Sequence, residues 1–166
     1  MITLDGPGGF PAQRAGHQAQ HEHSAVACAP AHTCLLLTWE LTSDQDLRTI
    51  RTEIHRFLTD GRPMNPAGYD DLAQRIGLVA TELAGNALRH GLPPLLVRLL
   101  GDDDCYILDV SDHAPQRHPE PVAGPPQLAL AGGRGLHIAR SLAQQLCWYK
   151  TETTKHVWAA FPVPRA

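Results

Sequence analysis

The sequence predicts an α/β protein, a two-layer sandwich in which helices cover one face of a mainly antiparallel, mixed sheet. Strand-like and helix-like segments follow one another in the order β–α–α–β–β–loop–α–β–β. Consecutive strands are joined by short turns such as GDDD at 101–104, which favours antiparallel pairing. With a hydrophobic content of 43%, the chain can bury a core between one helical layer and one sheet.

Apolar periodicity and turn residues set the expected elements. Ser43 is the expected N-cap of a first helix that ends at Gly61, and RPMNPAGYDD is expected to form a loop. A second helix is predicted from about Tyr69 to His90, where glycine and prolines follow. A third is expected to start near Leu136. The predicted strands are TCLLLTWEL at 33–41, LLVRLL at 95–100, CYILDVSD at 105–112, CWYKT at 147–151 and HVWAAFPV at 156–163.

The chain divides into a tail and one domain. Residues 1–31 are rich in Gly, Pro, Ala, Gln and His without apolar periodicity, which predicts a flexible low-complexity tail before a domain at 32–166. His17, His21 and His23 could bind a metal if this segment were helical. A solvated tail is the favoured interpretation.

Composition argues against several classes of function. The net charge of −3 gives no indication of a nucleic-acid or membrane surface. No apolar run has the length of a bilayer span, and the N-terminus lacks the pattern of a signal peptide, so we expect a cytoplasmic protein. The cysteines form no C-x-x-C pair, which favours small apolar residues over a redox or zinc site; they are Cys28, Cys34, Cys105 and Cys147.

The stretch ELAGNALRHG at 82–91 carries three polar residues at helical spacing. Glu82, Asn86 and His90 are four residues apart, so they project from nearly one edge of a helix. The neighbouring stripe is apolar and is expected to enter the core; it comprises Leu72, Ile76, Val79, Leu83 and Ala87. An amide oxygen suits a hard cation such as Mg²⁺, and a carboxylate one turn earlier could act as a base. A surface-facing polar edge is the alternative.

A glycine cluster, GGRG at 132–135, precedes the third helix. Glycines allow close backbone approach, and a helix N-terminus favours negative charge, so a polyphosphate would suit this position. Arg134 adds a cation, and the long Pro/Gly-rich loop at 114–135 is of the kind that is functional or disordered. A simple turn is the alternative, because the cluster is neither a Walker A sequence nor a G-x-G-x-x-G motif.

Asp112 lies where the apolar alternation of ILDVSDHAP stops, at the end of a predicted strand. Its carboxylate could accept a hydrogen bond from an exocyclic amine such as that of adenine. Alternatively it forms an Asx-turn with its own backbone.

Taken together, these motifs resemble the ATP-binding domain shared by histidine kinases and DNA gyrase, known as the GHKL or Bergerat fold. ELAGNALRHG resembles its N box, LDVSDHAP its first glycine box and AGGRGLHIARSLA its second. The resemblance covers roughly residues 33–163. Length and the ending TKHVWAAFP are most similar to the stand-alone anti-sigma-factor serine/threonine kinases of bacterial partner-switching systems.

The resemblance implies roles for individual residues. Asn86 would hold the Mg²⁺ that bridges the ATP phosphates, Glu82 would be the catalytic base, and Asp112 would bind the adenine amine. The backbone around Gly133, Arg134, Gly135 and Leu136 would cradle the phosphates, with the Pro-rich loop as a lid. His90 stands where the family often has His, which implies a packing or capping role.

One position departs from the family pattern. The family usually has a glycine two residues after the aspartate. Here that position is Ala114, followed by Pro115, and a methyl group there could crowd the base.

Three functions follow as hypotheses. The first is an ATP- and Mg²⁺-dependent serine/threonine kinase that phosphorylates an anti-sigma-factor antagonist and sequesters a sigma factor, with a homodimer as one assembly that the resemblance allows. The second is an ATP-dependent binding module without transfer. The third is a degenerate pocket acting through protein contacts alone.

Overall fold

A computed structural model of the chain describes residues 33–60, 65–117 and 134–165. The tail predicted at 1–31 lies outside these residues, as does most of the predicted lid, 118–133. The elements are β1 (Cys34–Leu41), α1 (Asp44–Thr59), α2 (Pro66–His90), β2 (Leu95–Gly101), β3 (Cys105–Asp112), α3 (Arg134–Leu142), β4 (Gln145–Lys150) and β5 (Lys155–Pro162).

The five strands form one sheet in the order β1-β2-β3-β5-β4. All four pairings between the described strands are antiparallel, so this sheet contains no parallel pair. The predicted α/β sandwich is confirmed. In the tight β2–β3 turn, the carboxylate of Asp102 accepts hydrogen bonds from the backbone of Cys105 and Asp104, both at 2.8 Å. Because these bonds favour the charged form, they hold the pKa of Asp102 below its usual value.

Helix α1 begins as the sequence predicts, with Ser43 as its N-cap. The carboxylate of Asp46 reaches back to the backbone N–H groups of Thr42 and Ser43, at 2.8 Å each. These donors would otherwise be unpaired at the helix start. They lower the pKa of Asp46, the Thr42 backbone bond contributing most.

Helix α2 begins at Pro66, before the predicted start near Tyr69. Residues 66–71, which were predicted to belong to a loop, are helical. Asn65 is the N-cap in the left-handed conformation (φ 59°), and its side chain accepts the N–H of Gly68 at 3.0 Å. Pro66 occupies the first turn, where its missing N–H costs nothing. An Asn–Pro pair is typical both of loops and of helix starts. In this protein it starts a helix.

The main core lies between the helices and one face of the sheet. The predicted apolar stripe of α2 is buried, with exposed fractions from 0% at Leu72, Ile76 and Val79 to 6% at Ala87. Alternate residues of β3, namely Tyr106, Leu108 and Val110, meet this helical layer from the sheet. Helix α2 therefore has one side fixed in the core, and the border of that side is held in a defined orientation.

The opposite face of the sheet carries a buried charge network. Asp109 is 2% exposed, and its carboxylate accepts hydrogen bonds from the Arg98 guanidinium and lies 3.2 Å from His156 Nδ1. The Tyr149 ring stacks on His156 with centroids 4.4 Å apart. Burial, followed by the nearby Asp109 charge, raises the pKa of Tyr149. A charged network this enclosed makes Asp109 a stability determinant.

Replacing Asp109 with Ala is expected to destabilise the fold by about 3 kcal/mol. Removing one partner of a buried pair leaves the other uncompensated, although Arg98, 32% exposed, keeps part of its hydration. Urea denaturation measures the change. The control is Asp103→Ala in the exposed β2–β3 turn, which should change stability by less than about 0.5 kcal/mol. Equal midpoints for the two variants would show that Asp109 contributes nothing particular.

Three of the cysteines lie in described strands, and they are free thiols. Cys105 and Cys147 are half-buried, and burial is the first cause of the raised pKa of Cys105. A raised pKa disfavours the reactive thiolate, in keeping with the predicted apolar role. Cys34 is exposed, so that role does not extend to it. Cys28 lies outside the described residues.

None of the helices in the described ranges combines the length and apolar character that a bilayer-spanning segment requires.

Candidate functional site

The polar edge of α2 lies beside the core, as its spacing predicts. Glu82 and Asn86 are half-buried, while the last helical residue, His90, is exposed. The packing role implied for His90 therefore does not hold for its side chain. Its backbone carbonyl accepts a hydrogen bond from Arg117 Nη1 at 2.9 Å, which ties the end of α2 to the segment after β3.

The start of α3 packs against Glu82. A Cβ atom added to Gly135 would lie 2.5 Å from Glu82 Oε2, closer than real contacts allow. The Gly135 backbone therefore lies directly against the Glu82 side chain, and a larger residue at this position would displace the carboxylate. The contact brings a carboxylate of the predicted N box against the first turn of α3, so two of the three predicted motifs meet at this end of the α2 edge.

The third motif meets α2 at its other end. A Cβ atom on Gly91 would lie 2.6 Å from the Ala87 carbonyl oxygen and 2.7 Å from Asp112 Cβ. The backbone N–H of His113 donates to the Leu92 carbonyl at 2.8 Å and holds the end of β3 against the α2–β2 connection. Asp112 thus lies at the C-terminal end of α2.

The carboxylate of Asp112 has two described partners. Its Oδ1 accepts the backbone N–H of Ala114 at 2.7 Å, so the Asx-turn considered from the sequence is present. Its Oδ2 lies 3.0 Å from Lys155 Nζ in a buried ion pair. Lys155 is not among the site residues predicted from the sequence. Only the antiparallel register, which places it opposite Asp112, identifies it.

Asn86 also has a neighbour that the sequence prediction omitted. Its Oδ1 accepts a hydrogen bond from Arg89 Nη2 at 2.8 Å, an i,i+3 pair that the spacing could have revealed. A carbonyl oxygen has a second lone pair, so the donor set still suits a hard cation such as Mg²⁺. Residues 33–60, 65–117 and 134–165 contain no group of three or more His, Cys, Asp or Glu side chains placed for a metal. A cation at Asn86 would therefore take most of its ligands from phosphates and water.

The second glycine box is described only in part. Gly133 lies outside the described residues, and of Arg134 only the backbone, the first residue of α3, belongs to them. Leu136 is half-buried and packs against the core. Because Glu82 and Gly91 are nine residues apart, the two ends of the site are separated by about 13 Å along α2. The site is elongated, with the Asp112 pair at one end and Glu82 with α3 at the other.

A cavity of ≈ 580 Å³ lies elsewhere, lined by residues of α1 together with Ala73 and Gln74 of α2. Its lining is basic and includes Arg48, Arg51 and Arg56, and it shares no residue with the predicted motifs. The elongated edge of α2, where three independent motifs converge, is the stronger candidate site.

A two-layer sandwich with an N-box-like helix edge, a glycine-containing helix start and a strand-end aspartate defines an ATP-binding domain of the GHKL type. The family model for the histidine kinase-like ATPase domain matches residues 42–161, which is 120 of the 166 residues. The chain belongs to this family, and the matched range includes every described site residue. The family establishes an ATP-binding, kinase-like domain. No curated protein matches the sequence.

Proposed function

We propose that the protein is a regulatory serine/threonine kinase that uses Mg·ATP and acts as an anti-sigma factor. Its substrate would be a hydroxyl group on a small antagonist protein, and it would sequester a sigma factor when the antagonist is phosphorylated. The observation that carries the proposal is the joint position of Glu82 and Asn86 on one edge of α2, with Gly135 of α3 in contact with Glu82. The subgroup resemblance of the motifs supports the regulatory assignment.

The chemistry can be assigned to this chain's residues. Asp112 would hold the base at one end, while the backbone amides at the start of α3 would hold the phosphates at the other. Asn86 Oδ1 would be the protein's oxygen ligand to Mg²⁺, which when bound neutralises charge on the phosphates. Glu82 would accept the proton of the attacking hydroxyl as the new O–P bond forms and the bond to the ADP oxygen breaks.

A specific observation favours a second candidate, the ATP-dependent binding module without transfer. The carboxylate of Glu82 lies against the first turn of α3, where negative charge is stabilising. A structural role at this helix start would account for a glutamate without any catalysis. The two candidates therefore differ in the role of one side chain.

The test uses the full chain with Mg²⁺ and γ-labelled ATP, with and without small candidate antagonists encoded by neighbouring genes. The expected result is label on one antagonist as phosphoserine or phosphothreonine. The protein should also bind a sigma factor, and the unphosphorylated antagonist should release that sigma factor from it.

The alternatives give different results in the same experiment. Tight ATP binding without transfer to any candidate would favour the binding module. Absence of ATP binding would instead favour the degenerate pocket, in which Ala114, 5% exposed, occupies the position where the family pattern has glycine.

A further inference from the structure

A buried ion pair between Asp112 and Lys155 lies at one end of the candidate site. Asp112 is 3% exposed and Lys155 is 6% exposed, and Nζ lies 3.0 Å from Oδ2. An ammonium group has three N–H donors. Among the described residues, the ion pair of Nζ is the one with Asp112. The ammonium group can therefore donate to a second acceptor while it keeps its pair with Asp112.

The carboxylate is held firmly by the same arrangement. Asp112 and Lys155 are direct partners in the β3–β5 register, and Ala114 N–H fixes the other carboxylate oxygen at 2.7 Å. Each oxygen keeps a second lone pair. The pair therefore presents an acceptor and a cationic donor side by side, at the end of the site that lies against Gly91.

We infer that Lys155 is a specificity-determining residue that donates a hydrogen bond to N1 of adenine, next to the 6-amino group that Asp112 accepts. This inference rests on the proposed ATP-binding function of the site and adds a second contact to it. Adenine carries a donor at position 6 and an acceptor at N1, which complements the carboxylate–ammonium pair.

The same pair disfavours guanine. In an equivalent orientation, guanine places its O6 acceptor against the Asp112 carboxylate and its N1–H donor against the Lys155 ammonium. Both contacts are repulsive. Specificity is then obtained by rejecting the wrong base as well as by binding the right one.

The test is a set of binding titrations of the full chain with Mg²⁺ and four nucleotides. They are ATP, GTP, 1-deaza-ATP, which keeps the amino group and lacks N1, and purine riboside triphosphate, which keeps N1 and lacks the amino group. The parent should bind each of the two analogues roughly 10- to 100-fold more weakly than ATP, the loss expected for one hydrogen bond to a charged group.

The variants assign the two contacts to their residues. Lys155→Met should bind ATP and 1-deaza-ATP equally, while still binding purine riboside triphosphate more weakly. Asp112→Asn should weaken ATP binding and reduce the penalty for losing the amino group. The control is Lys150→Met, the same substitution at the exposed residue paired with Lys155 in the β4–β5 hairpin, which should leave every ratio unchanged.

Three outcomes would overturn the inference. If the parent binds ATP and 1-deaza-ATP equally, Lys155 does not read N1, and this comparison requires no folded variant. If Lys155→Met keeps the parent's preference for ATP over 1-deaza-ATP, another group reads N1. In both cases the ATP-binding function stands. If the parent binds none of the nucleotides, the proposed function itself fails and the inference fails with it.

Discussion

Replacing Glu82 with Gln is expected to lower phosphoryl transfer to the antagonist roughly 10²–10⁴-fold, the usual scale for loss of a general base. Binding of ATP should be nearly normal, because a base acts in the transition state and adds little to ground-state affinity. Removing a negative charge near the phosphates could even tighten binding slightly. Single-turnover phosphorylation, measured beside an ATP titration, gives both quantities.

The position of Glu82 against α3 makes a second measurement necessary. If the carboxylate only stabilises the helix start, Glu82→Gln should lower stability by about 0.3–1 kcal/mol and leave transfer unchanged. Thermal unfolding of the variant separates this case from catalysis. The matched control is Glu152→Gln in the exposed β4–β5 turn, which should affect neither transfer nor stability.

The sheet and helices were largely predictable because their signals are local. Alternation in β3 and the apolar stripe of α2 follow directly from the periods of strand and helix. The stripe is buried as expected, whereas β3 is buried on both faces from Tyr106 to Asp112. The predicted start of α2 was wrong because Asn and Pro are common both in turns and at helix starts, and Asn65 and Pro66 form the helix start here. The end of a helix is thus less certain from sequence than its existence.

The candidate site was predictable where its residues share one element. Glu82 and Asn86 are fixed relative to one another by helical geometry alone, and their common edge is present in the structure. Arg89 could have been found by the same geometry, since it lies one turn beyond Asn86 and donates to it.

Lys155 could not have been found in this way. Its contact with Asp112 spans two strands that are distant in sequence, and it depends on β5 pairing with β3 in one particular register. A shift by one residue would turn the lysine to the other face of the sheet, where His156 lies. Site residues that come from a strand distant in sequence can be identified only from the structure.

Replacing Asn86 with Ala is expected to weaken Mg²⁺-dependent ATP binding roughly 100-fold or more, about 2.8 kcal/mol at 1.4 kcal/mol per tenfold change. The substitution removes the neutral oxygen that would ligate the metal and leaves the Arg89 guanidinium without its acceptor. The fold should be intact, because Asn86 is half-buried at the border of the core and alanine favours the helix. Calorimetry with and without Mg²⁺ measures the loss.

The control for Asn86 is Gln74→Ala, which removes an amide from the same helix about 18 Å away along its axis. This variant should bind Mg·ATP as the parent does. If Asn86→Ala also binds as tightly as the parent, the polar edge of α2 is only a solvated border and the nucleotide must bind elsewhere. If it loses binding equally with and without Mg²⁺, Asn86 contacts the nucleotide directly and is not a metal ligand. Loss confined to the Mg²⁺ titration is the result that assigns the metal to this side chain.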